Sequence, residues 1–271
     1  PADGQPKRDA IAASLQKVLD SGAAQLEKGA SALDVVESCI RMLEDDPLFN
    51  AGKGAVYNAE RKHELDASIM DGRDKTAGAV AGVRTVKNPI SLARLVMTKT
   101  RHVLLVADGA ERFADEMKVE RVPNDYFSTK DAEIELKEVQ LEQQKEEEKS
   151  KMGTVGCVVL DKAGNIAAGT STGGLTNKKY GRVGDSPIIS AGTYADNETC
   201  GVSCTGVGEH FIRNAVAFDM SARMKYKGQT LEQAAKSIMT ETLKPNIGGL
   251  IAIDKDGNIT AQYDTAGMIR A

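Results

Sequence analysis

Residues 131–151 constrain this chain most. They run Glu-Leu-Lys-Glu and then Gln-Gln-Lys-Glu-Glu-Glu-Lys, with almost no apolar content after Leu141. Such a stretch cannot contribute to a core and reads as a solvated helix or mobile linker over about 131–153. It divides 271 residues into two parts that each have their own strand and helix patterning. Directly behind it stands Gly153-Thr154-Val155-Gly156, at the start of an apolar strand. A threonine hydroxyl is a weak nucleophile until the chain is cut before it, when the new α-amino group can serve as its base. An α-amine titrates near ~8, so a useful fraction is neutral at cellular pH. The position therefore points to a self-cleaving hydrolase with Gly153 and Thr154 as the autocleavage pair, and to an exposed tail freed by the cut.

The first part opens with helical periodicity. Ile11, Leu15, Val18 and Leu19 form one apolar face and Leu33, Val36, Ile40 and Leu43 the next, with Ser31 and Asp34 as an N-cap pair. Pro47 ends that helix and a Gly-rich loop runs through Gly54. Strands are expected at 65–70, 78–83 and 102–106, and helices from Pro89 and over 108–117. The second part carries two hairpins of one design, Leu160-Asp161-Lys162-Ala163-Gly164-Asn165-Ile166 and Ile253-Asp254-Lys255-Asp256-Gly257-Asn258-Ile259. Helices over about 209–226 and 231–243 lie between them. Strands flanked by helices in both parts imply central sheets with helices outside, an α+β layered fold.

Several function classes are excluded. A net charge of −4 supplies no basic field for nucleic acid, and 4% aromatics without Trp supply no stacking surface. No apolar run reaches the ~20 residues of a membrane span, and no signal peptide is evident in the given sequence. Cys39, Cys157, Cys200 and Cys204 have no CxxC spacing and sit among apolar neighbours, so they read as reduced core residues, and the expected location is cytoplasmic. His63-Glu64 begins an HExxH pattern that fails at Ala67. Gly52-Lys53-Gly54 and Asn177-Lys178 lack a phosphate-loop frame, and no GxSxG elbow is present.

The stretch 154–208 concentrates what amide hydrolysis needs. Thr154 is the nucleophile and Thr172, in Thr170-Ser171-Thr172-Gly173-Gly174, a second hydroxyl to orient it. Thr205 and Gly206 offer a hydroxyl and a backbone N–H to an oxyanion. Arg182 and Asp185, in Gly181-Arg182-Val183-Gly184-Asp185-Ser186, supply a cation and an anion for the two ends of an amino acid.

This combination resembles the plant-type asparaginase and isoaspartyl (β-aspartyl) peptidase family of N-terminal nucleophile hydrolases. Further motifs carry the resemblance in the same order: Asp45 to Gly52, Glu64 to Gly72, Gly78 to Val83, Asn88 to Met97, Gly181 to Pro187 and Ser203 to Glu209. Together they cover nearly the whole chain. The resemblance implies a four-layer αββα sandwich, cut into an α subunit of residues 1–153 and a β subunit of 154–271 that remain one structural domain. It implies that Thr154 attacks the side-chain amide or isopeptide carbonyl of an aspartyl substrate and that water then releases L-aspartate from the ester. No cofactor takes part. By position, Thr172 is the supporting threonine, Thr205 and Gly206 the oxyanion groups, and Arg182 the α-carboxylate clamp. Asp185 and the Gly208 carbonyl meet the α-amino group, and Asn50 lies in a loop near the site. Backbone carbonyls of Leu43, Glu44, Asp46, Phe49, Ala51 and Lys53 match a structural sodium loop, and a dimer of αβ units is the implied assembly. The sequence starts after the family's His-Gly-Gly-Ala-Gly loop and stops at Ala271, so a sheet lacking the usual first and last strands is expected. Two alternatives stand beside this reading. A glycosylasparaginase is one, although a signal peptide and paired cysteines are not evident. A non-catalytic truncated relative kept for binding or assembly is the other.

Overall fold

A computed structural model describes residues 4–144, 153–243 and 245–271. Two antiparallel-rich sheets lie face to face. The first comprises β1 (Leu65–Asp71), β2 (Ala77–Val83), β3 (Leu104–Val106), β4 (Val155–Leu160) and β5 (Ile166–Thr172), in the order β3-β2-β1-β5-β4. The second comprises β6 (Thr193–Ala195), β7 (Cys200–Gly206), β8 (Gly248–Asp254) and β9 (Ile259–Tyr263), in that order. Helices α1 (Gly4–Glu27), α2 (Ala32–Glu44), α3 (Pro89–Lys99) and α4 (Ala107–Glu116) belong to the first sheet's outer side. There α2 packs on β4 and β5, α3 on β1 and β2, and α1 on α2. Helices α7 (Val216–Lys227) and α8 (Leu231–Ser237) cover the outer face of the second sheet. The arrangement is the αββα sandwich that the sequence implies.

Strand periodicity explains why the strands pair as they do. In β5, Ala167 joins the core with α2, and Ser171 bonds the Glu44 carboxylate on α2 at 2.7 Å. Ile166 and Ala168 join the second core, and Thr170 meets Ser203 of β7 at 2.7 Å. In β4, Val155 and Val159 face α2 while Val158 and Leu160 face the second sheet. Residues of even number in both strands therefore point between the sheets. The hairpin β4–β5 registers Val155 on Ser171 through Leu160 on Ile166. One step further places Thr154 opposite Thr172, both on the inner side.

Both hairpins turn by the same chemistry. Asp161 Oδ1 accepts from the Ala163 and Asn165 amides at 2.9 and 2.9 Å, and Asp254 Oδ1 from Asp256 and Asn258 at 3.0 and 2.9 Å. Gly164 and Gly257 take the left-handed step at φ 80° and 84°. Ser31 caps α2 through the Asp34 amide, as its spacing predicts.

Four local expectations need correction. Leu19, assigned to the apolar face of α1, is 48% exposed, because α1 packs chiefly on α2 and buries a narrow stripe that includes Ile11 and Val18. The 102–106 strand shortens to Leu104–Val106. The helix expected over 209–226 is two helices, α6 (Gly208–Asn214) and α7, broken where Ala215 enters the left-handed region at φ 46°. The charged segment, read as a solvated helix or mobile linker with no part in a core, takes the helical form over Lys130–Gln144 (α5) but is not solvated all round. Its Ala132, Leu136 and Val139 are buried, and Gln140 reaches Asn177 at 3.3 Å. The rest of that segment up to Met152 lies outside the described residues. Among those described, no helix is long and apolar enough to cross a membrane, and all four cysteines are unbonded thiols.

Close backbone approach sets a sharp constraint at Gly78 in β2. A Cβ there would lie 2.0 Å from the Ala93 carbonyl oxygen and 2.6 Å from the Met97 nitrogen of α3. Both neighbours are backbone and cannot swing aside. Gly78→Ala is therefore expected to destabilise the protein by about 1–3 kcal/mol, through displacement of α3 from the sheet. A urea midpoint equal to that of the parent would refute this packing account.

Candidate active site

The site forms where β4 and β5 end together. Gly153, Thr154, Thr172, Gly174, Leu175, Arg182, Gly184, Asp185, Ser186 and Gly206 line one cleft. Its most informative atom is the carbonyl oxygen of Gly153. It accepts from Asn50 Nδ2 at 2.8 Å and from Thr172 Oγ1 at 2.9 Å. Both donors are themselves held. The Gly174 amide donates to Thr172 Oγ1 at 3.0 Å, which leaves the hydroxyl hydrogen free to point at Gly153. Asn50 Nδ2 also donates to the Gly174 carbonyl at 2.9 Å, and its Oδ1 accepts from the Val56 amide at 3.0 Å. That set fixes which end of the Asn50 amide is nitrogen. Thr154 Oγ1 lies 3.5 Å from Thr172 Oγ1, at the outer limit of a hydrogen bond. Two donors thus polarise the one peptide carbonyl that Thr154 would attack.

Across the cleft, Asp185 is 4% exposed and its Oδ2 has no hydrogen-bond partner among the described residues. Burial pushes its carboxyl up to about 7, against the pull of Arg182, while Glu209 and Asp66 raise it further. An unpartnered buried carboxylate oxygen facing a cleft is suited to a cationic ligand group. Gly208 packs its backbone against this residue, since a Cβ there would sit 2.8 Å from Asp185 Oδ1 and 3.0 Å from Arg182 Nη2.

Arg182 departs from the free clamp that the sequence suggests. Its Nε and Nη2 grip Glu209 Oε1 and Oε2, both at 2.9 Å. The Nη1 side lies beside Gly184, where a Cβ would approach it to 2.7 Å, and makes no contact with Glu209. Glu209 sits in the Cys204–Glu209 stretch, and its acidic side chain at the start of α6 was the available signal. Gly206 lines the cleft at φ 151°, whereas Thr205, one residue earlier at the end of β7, is not among the lining residues of the uncut chain. His63 is excluded from chemistry. It is buried between the Val56 carbonyl and Ser128 Oγ, each at 3.1 Å.

The six residues of the implied sodium loop lie apart from this cleft in sequence, at the end of α2 and in the loop that carries Asn50. The backbone there is curled tightly. A Cβ on Gly52 would lie 2.3 Å from the Glu44 carbonyl oxygen, and one on Gly54 would lie 2.6 and 2.7 Å from those of Pro47 and Phe49. Only glycine permits this close approach of backbone, at φ 50° and 116°. Oxygen donors of this kind suit a hard cation.

Comparison with known proteins agrees with this geometry. A family profile described as Asparaginase matches residues 2–271. The chain is 48% identical over 273 residues to an isoaspartyl peptidase of Escherichia coli, covering 95% of this chain and 84% of that protein. It is 43% identical to a probable isoaspartyl peptidase/L-asparaginase 2 of Arabidopsis thaliana, covering 94% and 86%. With the human isoaspartyl peptidase/L-asparaginase it shares 44% identity, over 90% and 80%. On the match across its whole length and on these identities, the chain belongs to the asparaginase family.

Proposed function

We propose that this protein is a self-processing threonine amidohydrolase that releases L-aspartate from β-aspartyl (isoaspartyl) peptides and L-asparagine. The doubly hydrogen-bonded Gly153 carbonyl carries the reading. Thr154 Oγ1 attacks that carbon, and Asn50 Nδ2 and Thr172 Oγ1 stabilise the charge that develops on the oxygen. Collapse breaks the C–N bond and leaves Gly153 esterified to the threonine oxygen. That cleavage already frees the Thr154 α-amine, and water then hydrolyses the ester to a Gly153 carboxylate and a restored Thr154 hydroxyl. In the mature site the amine takes the proton of Thr154 Oγ1 as it attacks the substrate's side-chain carbonyl, and returns it to the leaving amine. Gly206 N–H with Thr205 serves the second oxyanion, on the far side of the cleft. Arg182 and Asp185 hold the α-carboxylate and α-ammonium of the aspartyl moiety, which places the β-carbonyl over Thr154. The names of the relatives favour β-aspartyl substrates over glycosylated asparagine.

Intact mass of purified protein held at neutral pH tests the first half of this reading. Two fragments are expected, one beginning at Thr154. Thr154→Ala is expected to remain a single chain and to hydrolyse no β-aspartyl dipeptide. Turnover by that variant above background would remove Thr154 as nucleophile.

Asp185 gives a pH signature. With its carboxyl titrating at about 7, the free enzyme loses its ammonium partner as pH falls through that value, so KM should rise below about 7. Asp185→Asn should raise KM by at least about tenfold and abolish that slope. Stability runs the other way. The folded state keeps a proton that the unfolded chain, at 3.8, has lost, so this residue's contribution falls as pH rises from about 4 to about 7. A parental KM that is flat from about pH 5.5 to about pH 8 would show that Asp185 does not hold the ammonium.

We further propose sodium as the occupant of the loop carbonyls of Leu43, Glu44, Asp46, Phe49, Ala51 and Lys53. Bound there, it would fix the loop that carries Asn50. Replacing sodium with tetramethylammonium at equal ionic strength should lower the melting temperature by a few degrees. Identical melting in both salts would argue against a bound ion.

A further inference from the structure

Buried lysines are rare, because removing an ammonium from water is costly unless it is paired. Lys178 is one, with a side chain 2% exposed against an Asp66 side chain that is 0% exposed. Lys178 Nζ donates to the Glu64 carbonyl at 2.8 Å and lies 3.9 Å from Asp66 Oδ2. Asp66 Oδ1 has a separate task. It accepts at 2.8 Å from the Gly82 amide, where a register shift interrupts the β1–β2 ladder. Oδ2 has no hydrogen-bond partner among the described residues. The pair is therefore close enough to attract but is not an optimised hydrogen-bonded bridge. A pair of this kind is a weak source of stability compared with apolar residues of equal volume.

Its location is more informative than its energy. Asp66 is the cross-strand partner of Thr172 in the β1–β5 ladder. Lys178 reaches in from the following loop and lies against Gly174, where a Cβ would come within 3.0 Å of Nζ. Gly174 stands at φ 83°, and both its backbone groups serve the site. Its amide donates to Thr172 Oγ1 and its carbonyl accepts from Asn50 Nδ2. These are the two donors on the Gly153 carbonyl. Asp66 thus backs Thr172 in the sheet, and Lys178 backs the turn that aims both Thr172 and Asn50.

We infer that the buried Lys178–Asp66 pair is a positioning unit for the reaction, fixing the Gly173–Gly174 turn so that Thr172 and Asn50 stay directed at the carbonyl under attack. Neither residue touches the reacting atoms. The inference rests on the self-cleavage reading above and goes beyond it by assigning two residues that the reaction itself does not need.

The test uses Lys178→Met, the double variant Asp66→Asn/Lys178→Met and Thr154→Ala, each as the full chain. Melting temperature, the rate at which the Thr154 fragment appears, and kcat and KM of the matured fraction on a β-aspartyl dipeptide are measured. Lys178→Met is expected to cleave itself at least about tenfold more slowly. Its matured fraction should show reduced kcat with KM within about twofold of the parent, since Arg182 and Asp185 are unchanged. The double variant leaves no lone buried charge, so its melting temperature should recover while its cleavage rate should not. Parental cleavage and kcat in Lys178→Met would overturn the inference. So would recovery of rate together with melting temperature in the double variant, which also decides the matter if Lys178→Met does not fold. Cleavage persisting in Thr154→Ala would instead overturn the self-cleavage reading, and the kcat–KM split would then judge the pair on its own.

Discussion

The seam between the two sheets combines aliphatic side chains with a linked set of small and hydroxylated ones, and the site depends on how closely the latter approach. Ser68, Thr193, Thr170 and Ser203 are linked by contacts of 2.8, 2.6 and 2.7 Å, and Ser68 also reaches the Ser186 carbonyl at 2.6 Å. A Cβ on Gly156 would come within 2.1 Å of Ser203 Oγ. A hydrogen-bonded hydroxyl network satisfies itself in fewer arrangements than aliphatic packing alone allows. The seam therefore fixes β5 against β7. That fixes where β4 and β5 terminate relative to Gly206, and so the distance across the cleft.

The same seam explains the division of labour within the site. Thr154 and Thr172 come from the first sheet's inner face, while Gly206 and Gly208 come from the second sheet's β7 and the helix behind it. Arg182 and Asp185 lie on the connection that passes from one sheet to the other. The proposed nucleophile and the proposed substrate-holding groups thus lie on different parts of the fold. Asn50 enters from a third direction, on the loop after α2, and donates to both the Gly153 and Gly174 carbonyls.

Much of this was legible in the sequence, because period-2 strands and N-cap chemistry act locally. The two Asp-x-x-Gly-Asn turns, the Ser31 cap and the strands around Ile69 and Val80 were all readable from neighbours a few residues apart. The Gly-Thr junction was readable because a threonine at a possible new N-terminus has few chemical meanings. What escaped depends on contacts distant in sequence. Leu19 has apolar character but no partner across α1. Ala215 breaks a helix without a glycine or proline to announce it. The α5 helix buries three residues and meets the loop around Asn177, which lies far from it in sequence. Glu209 and Lys178 look like ordinary charges in the sequence, and their significance appears only once Arg182 and Gly174 lie beside them.

The Arg182–Glu209 pair has a consequence for what the cleft will admit. Because the guanidinium already holds a carboxylate along its Nε–Nη2 edge, it is not a bare cation awaiting any anion. On the proposed reading, an incoming acid meets a guanidinium already paired with a carboxylate, with three of its five N–H donors left, and gains little unless a second point of attachment is available. Asp185 provides that point only to a positive group. If Arg182 and Asp185 hold substrate as proposed, the cleft would act as a zwitterion filter, in which simple anions such as phosphate or succinate compete poorly and the amino-acid head is recognised as a whole.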